Sequence, residues 1–185
     1  KQPNSRWYSG SGIYRDVNLR TGKDVYISHD KLRITTLSVN DDMAVIEVCV
    51  QLKNIIGHGL EAECLIEIKK DGQKTASDTQ RVVFRSEQMQ TVRVQIPIEH
   101  PKKWSPKQPA LYECHITTKF DDKICDEAVS NFGIRVLALD PVRGLQINGE
   151  TVKLRGTCIH HDNGVIGAET FKEAEWYRCK RLKEA

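Results

Sequence analysis

The chain has 185 residues, of which 39% are hydrophobic, and its 28 basic residues against 25 acidic ones leave a net charge of +3. No run of about 18 apolar residues is present to cross a membrane as a helix, no charged start runs into an apolar stretch like a secretory leader, and Lys and Arg are too scattered for a nucleic-acid footprint. The length allows one large or two small domains, and is too short for a complete (β/α)8 barrel, which takes roughly 250 residues.

In chain order, Ser9-Gly10-Ser11-Gly12 reads as a flexible loop. Ile13 to Leu19 reads as one strand with no partner nearby, as if it ended a preceding domain. From Asp24 to Leu139 the grammar is period two. Ile46, Val48, Val50 and Leu52 fall on one face, with Glu47, Cys49, Gln51 and Lys53 on the other. Ala62, Cys64, Ile66 and Ile68 alternate in the same way, as do Val92, Val94 and Ile96, and Tyr112, Cys114 and Ile116. Such alternation marks half-buried strands, about seven of them here. Asp71-Gly72 between two runs is a tight hairpin signal. The pattern predicts a mainly β fold, an immunoglobulin-like antiparallel β-sandwich over residues 21–139.

The six cysteines form no CxxC and are too sparse for a disulfide-built scaffold. Tyr112, two residues before Cys114, fits a tyrosine corner. A Cys49–Cys114 bridge between sheets would follow that pattern, but alternation turns Cys49 outward. Cys64 and Cys114 face inward, and their plainer reading is as reduced, small core residues.

Trp104-Ser105-Pro106 and Pro109 could present a ring to a sugar. Two prolines favour instead a rigid turn, with Trp104 covering the end of the sandwich.

After Leu139 the grammar changes. Asn148-Gly149 between Leu145-Gln146-Ile147 and Thr151 to Leu154 is a strong hairpin signal. Arg155 to Asp162 reads as a short strand, with Cys158 a buried strand residue rather than a nucleophile. A loop with Gly164 and Gly167 follows. Thr170 with Glu173 then reads as a capping box opening a helix that carries Phe171, Ala174, Tyr177 and Leu182. Strand, loop and helix make an incomplete first βα unit of a parallel α/β domain. His160 and Asp162 would share one side of that strand's C-terminal end, where barrel enzymes place substrate contacts. A carboxylate and an imidazole there suit sugar hydroxyls. A metal site would need further ligands that the sequence does not offer, and no cofactor is called for.

Five segments resemble, in order, those of glycoside hydrolase family 2. They are Ser11 to Val17 (GIYR-V), Trp104-Ser105-Pro106 through Tyr112, Asn131-Phe132-Gly133-Ile134-Arg135, the Leu145 to Gly156 hairpin, and Cys158 to Asp162. The resemblance implies the end of a jelly-roll sugar-binding domain in residues 1–20, the sandwich in 21–139, and the truncated start of a TIM barrel in 140–185. It implies a retaining β-glycosidase, β-galactosidase-like, acting on a carbohydrate substrate through two carboxylates about 5–5.5 Å apart. Both would be glutamates beyond residue 185, so the chain alone is expected to be an inactive scaffold. Substrate contacts would fall to His160 and Asp162, while His161 departs from the glutamate that some members carry. The resemblance implies no nucleic-acid or membrane partner. Unpaired edges in 140–185 are expected to favour disorder, local packing or self-association. A rival of another class is a stand-alone immunoglobulin-like binding or adhesion module, which leaves the C-terminal βα pattern unexplained.

Overall fold

A computed structural model describes residues 12–13, 15–161 and 163–185. They fall into two compact units, residues 21–153 and the two terminal segments 1–20 and 154–185.

The larger unit is a two-sheet antiparallel sandwich. One sheet is centred on β3 (Met43–Asn54). Strand β6 (Met89–Glu99) takes one edge of β3 from Met43 to Lys53. The other edge is shared by β2 (Arg33–Val39) and β1 (Val25–Ile27). The second sheet runs β5–β4–β7–β8, with β4 Leu60–Lys70, β5 Gln73–Phe84, β7 Tyr112–Phe120 and β8 Lys123–Phe132. Eight strands therefore precede Phe132, one more than alternation alone reveals. Strand β5, announced by the Asp71-Gly72 hairpin, has its first nine residues exposed or half-buried and forms an edge of its sheet.

The two sheets are built by the period-two pattern. Ala44, Ile46, Val48, Val50 and Leu52 of β3 are fully buried, as are Cys64, Ile66 and Ile68 of β4 and Cys114 and Ile116 of β7. Burying each large aliphatic side chain contributes about 1.5–3 kcal/mol. Three two-residue hairpins fix the registers. Asp71-Gly72, Asp121-Asp122 and Asn148-Gly149 all have both residues at positive φ, which matches the right-handed twist of the flanking strands.

Two buried polar side chains close the ends of the core. Asn54 Nδ2 donates to the carbonyls of His58 (2.9 Å) and Arg85 (3.0 Å), and its Oδ1 accepts the Ile56 N–H at 2.7 Å. Thr118 Oγ1 donates to the Val25 carbonyl at 2.8 Å, tying β7 to β1 of the facing sheet. Fully paired groups of this kind avoid the cost of burying an orphan donor or acceptor.

A small third sheet follows: β9 (Leu137–Asp140), β10 (Gly144–Ile147) and β11 (Glu150–Thr151). It belongs to the sandwich's compact unit, which extends to Lys153.

In the smaller unit the expected strands do not form. Residues 15–19 and 155–161 lie outside any strand; a strand is held by ladder bonds, and alternation in one segment does not supply them. Cys158 is accordingly exposed rather than buried. Helix α1 (Lys172–Glu184) does form, but Phe171 occupies the N-cap and no side chain caps it, so the Thr170–Glu173 box is not made. The helix buries none of its residues; Trp176 is 63% exposed and Tyr177 59%.

Candidate functional site

The polar turn after residue 159 and the loop that follows it are organised by a few side chains. Asn163 donates from its backbone N–H to the Gly167 carbonyl at 2.9 Å and from Nδ2 to the Glu169 carbonyl at 2.7 Å, closing the loop on itself. Its Oδ1 accepts from Arg178 of α1. Arg178 also reaches the His160 carbonyl at 3.5 Å and pairs with Glu175 at 3.3 Å. One arginine on the helix thus spans the turn and the loop.

His161 meets the other end of the chain. Arg15 Nη2 lies 3.4 Å from His161 Nε2, across 146 residues of sequence. A guanidinium only donates, so in this contact Nε2 is the acceptor. Around this pair Asp16, Ala168, Glu169, Thr170 and Phe171 line an open cleft of about 500 Å³. Two carboxylates, a guanidinium, an imidazole, a hydroxyl and a half-exposed aromatic ring make a polar surface suited to a ligand rich in hydroxyls. Of the sequence-predicted residues, Asp162 lies outside the described residues. The link from His160 to the helix runs through its carbonyl, and it is His161 that lines the cleft. Arg15 carries no local signal that could connect it to a turn so distant in sequence. Among the described residues no group of three or more His, Cys, Asp and Glu is arranged to hold a metal ion.

In the sandwich, Trp104 is committed to packing. Its backbone N–H donates to the Ile134 carbonyl at 2.8 Å, and the Arg135 guanidinium lies over its ring at 4.4 Å. Gly133 is pressed against it so closely that a Cβ would stand 2.8 Å from Trp104 Cβ and Cγ. These contacts are those that the turn reading expects of this tryptophan.

Tyr112 is 3% exposed, and its hydroxyl accepts the Lys102 N–H at 2.9 Å, the upstream backbone contact of a tyrosine corner. Cys64 and Cys114 are free, buried thiols on adjacent strands of one sheet, opposite Thr118 and Ile68 respectively. Burial pushes both up to about 12 from 9.0, which keeps them protonated and unreactive. Cys49 is half-buried on the other sheet and is also free.

Comparison with known proteins fits this arrangement. The sequence profile described as Glycosyl hydrolases family 2 matches residues 25–135. The chain is 30% identical over 195 residues to Beta-galactosidase BoGH2A of Bacteroides ovatus, covering 100% of this chain and 22% of that protein. It is 27% identical over 183 residues to a putative beta-glucuronidase of Formosa agariphila, covering 99% of this chain and 17% of the relative. Among solved structures, a glycosyl hydrolase family 2 member from Bacteroides cellulosilyticus superposes with a TM-score of 0.87 at 32% identity, over 98% of this chain and 24% of its own. The chain therefore spans between 17% and 24% of the length of these relatives.

Proposed function

The chain belongs to glycosyl hydrolases family 2, and from that premise we propose that it is the central stretch of a longer retaining β-glycosidase, β-galactosidase-like in its specificity. The observation that carries this is the family match over the sandwich, joined to a full-length alignment with a protein named a beta-galactosidase. In this reading residues 1–20 end a sugar-binding domain, residues 21–139 are the sandwich, and residues 140–185 begin the barrel. The sandwich is a rigid scaffold between them. The two catalytic glutamates lie beyond residue 185, so the chain alone turns over no glycoside.

Within this reading residues 160–162 contribute to sugar binding. Asp162 and His160 contact hydroxyls of the terminal sugar, and a carboxylate is the stronger of the two because charge-assisted hydrogen bonds are roughly twice as strong as neutral ones. Arg15 orients the turn through His161 rather than touching the sugar. No cofactor takes part; protonation and nucleophilic attack fall to carboxyl groups alone.

The test is an assay of the full-length protein and of this chain on p-nitrophenyl β-galactoside, β-glucuronide and β-mannoside. The full-length protein is expected to cleave the galactoside fastest with retention at the anomeric carbon, and the chain to cleave none. Turnover by the chain would overturn the scaffold reading, and inversion would overturn the mechanism. In the full-length protein Asp162→Asn is expected to lower kcat/KM by roughly tenfold to a hundredfold through loss of a charged hydrogen bond. An unchanged value would remove Asp162 from the site.

A further inference from the structure

We propose that Asn148 is a covalently erasable latch: its carboxamide fastens the β9–β11 sheet to the Trp104 loop, and deamidation of that carboxamide releases it. The proposal is independent of the glycosidase reading.

At φ +53 within a two-residue hairpin, position 148 could be filled as well by Gly or Asp. The turn alone does not call for an amide, yet both ends of the amide are used. Oδ1 accepts the Val136 N–H at 3.0 Å, and Nδ2 donates to the Trp104 carbonyl at 2.9 Å, 44 residues away in sequence. The Asn148 backbone N–H adds a bond to the Val136 carbonyl at 2.9 Å. Trp104 is itself immobilised by Ile134, Arg135 and Gly133. One side chain therefore joins the small sheet to a fixed point of the sandwich.

The residue that follows makes the latch perishable. Gly149 is exposed, nothing lies within 4 Å of where its Cβ would be, and it has no side chain of its own to shield its nitrogen. Having lost its proton to solvent, that nitrogen can bond to Asn148 Cγ. The Cγ–Nδ2 bond breaks, ammonia leaves, and a five-membered succinimide forms. Water then opens the ring to aspartate or isoaspartate. Overall one water is consumed and one ammonia released, with no oxidation or reduction. The resulting carboxylate has no proton to give, so an acceptor faces the Trp104 carbonyl where a donor stood. Isoaspartate also adds a backbone atom to a turn whose length sets the strand register. While intact, the hydrogen bonds hold Cγ away from free rotation, so the folded chain is expected to deamidate more slowly than the unfolded one.

The experiment is hydrogen exchange on this chain, with the Val136 amide as direct reporter. Asn148→Gly keeps the left-handed turn and removes the latch. It is expected to speed exchange at Val136 and in β9–β11 by about tenfold, leaving β3, β4 and β7 unchanged. Wild type aged at mildly alkaline pH, folded and in urea, is then mapped for aspartate and isoaspartate at position 148. The expected result is slower conversion in the folded sample, with the aspartate form exchanging like Asn148→Asp and the isoaspartate form at least as fast. Wild-type exchange in Asn148→Gly would overturn the latch. Equal conversion rates in the two samples, or equal exchange in converted and intact molecules, would overturn its chemical release. If Asn148→Gly fails to fold, the aged wild-type sample decides the question, since both forms coexist in it.

Discussion

The two compact units obey the same chemistry with opposite outcomes. In residues 21–153 each strand has a hydrogen-bonded neighbour, and alternate side chains meet a facing sheet, so sequence pattern becomes structure. In residues 154–185 an equally legible pattern yields a helix with no buried residue and a segment with no ladder. Local propensity suffices for a helix, whose hydrogen bonds are internal, but a strand needs another strand. What separates the units is the supply of partners, and that sets which region carries stability and which is marginal.

The largest expected contrast is in thiol chemistry. Cys158 and Cys179 are exposed, whereas Cys64 and Cys114 are buried. A maleimide should label the first two at once and the second two only through unfolding, slower by a factor on the order of 10³ or more. Equal labelling rates would erase the distinction between the units. The same burial sets an alkaline limit. Cys64 and Cys114 have folded pKa values raised from 9.0 to about 12, so their contribution is fully present below about 9 and is lost as pH rises toward 12. A melting series over that window should show a decline that Cys64→Ala/Cys114→Ala lacks.

Next in size, Ile116→Ala removes a fully buried side chain of β7 and should cost about 2–5 kcal/mol in urea denaturation. Tyr112→Phe keeps the ring and strands the Lys102 N–H, and should cost about 1–3 kcal/mol. A loss under 0.5 kcal/mol by the same measurement would mean that water replaces the hydroxyl there. Smallest of all, Trp176→Ala in α1 should leave the main transition within about 0.5 kcal/mol. A larger shift would show that the helix shares the sandwich's cooperativity.

Much of the sandwich could be read from the chain, because alternation states directly which side chains face inward. Tyr112, Cys64 and Cys114 are placed by parity alone. Strand β5 is signalled by the Asp71-Gly72 hairpin more than by its own residues, because Gln73 to Arg81, on an edge of the sheet, has little apolar signal. The segment from Arg155 is the reverse case: its residues suit a strand, but a strand needs ladder bonds from a partner, and none are made there. The site was the least legible part. His160, His161 and Asp162 stand out as a polar cluster. That Arg15 meets His161 depends on two chain ends coming together, and no periodicity encodes it. Asn148 was legible as a turn residue, while its bonds to Trp104 and Val136 emerge only from tertiary placement.

The backbone pairing of Val136 with Asn148 has a topological consequence. The chain leaves the sandwich at Val136 and, twelve residues later, is back beside it, with the Asn148 N–H on the Val136 carbonyl. Leu137 to Ile147 is thus a closed detour that begins and ends at one place. Its far tip, Pro141 to Arg143, is solvent-facing and can be lengthened, shortened or fitted with a reporter without moving the chain that continues past Asn148. The detour gives the sandwich an access port whose contents are decoupled from its geometry.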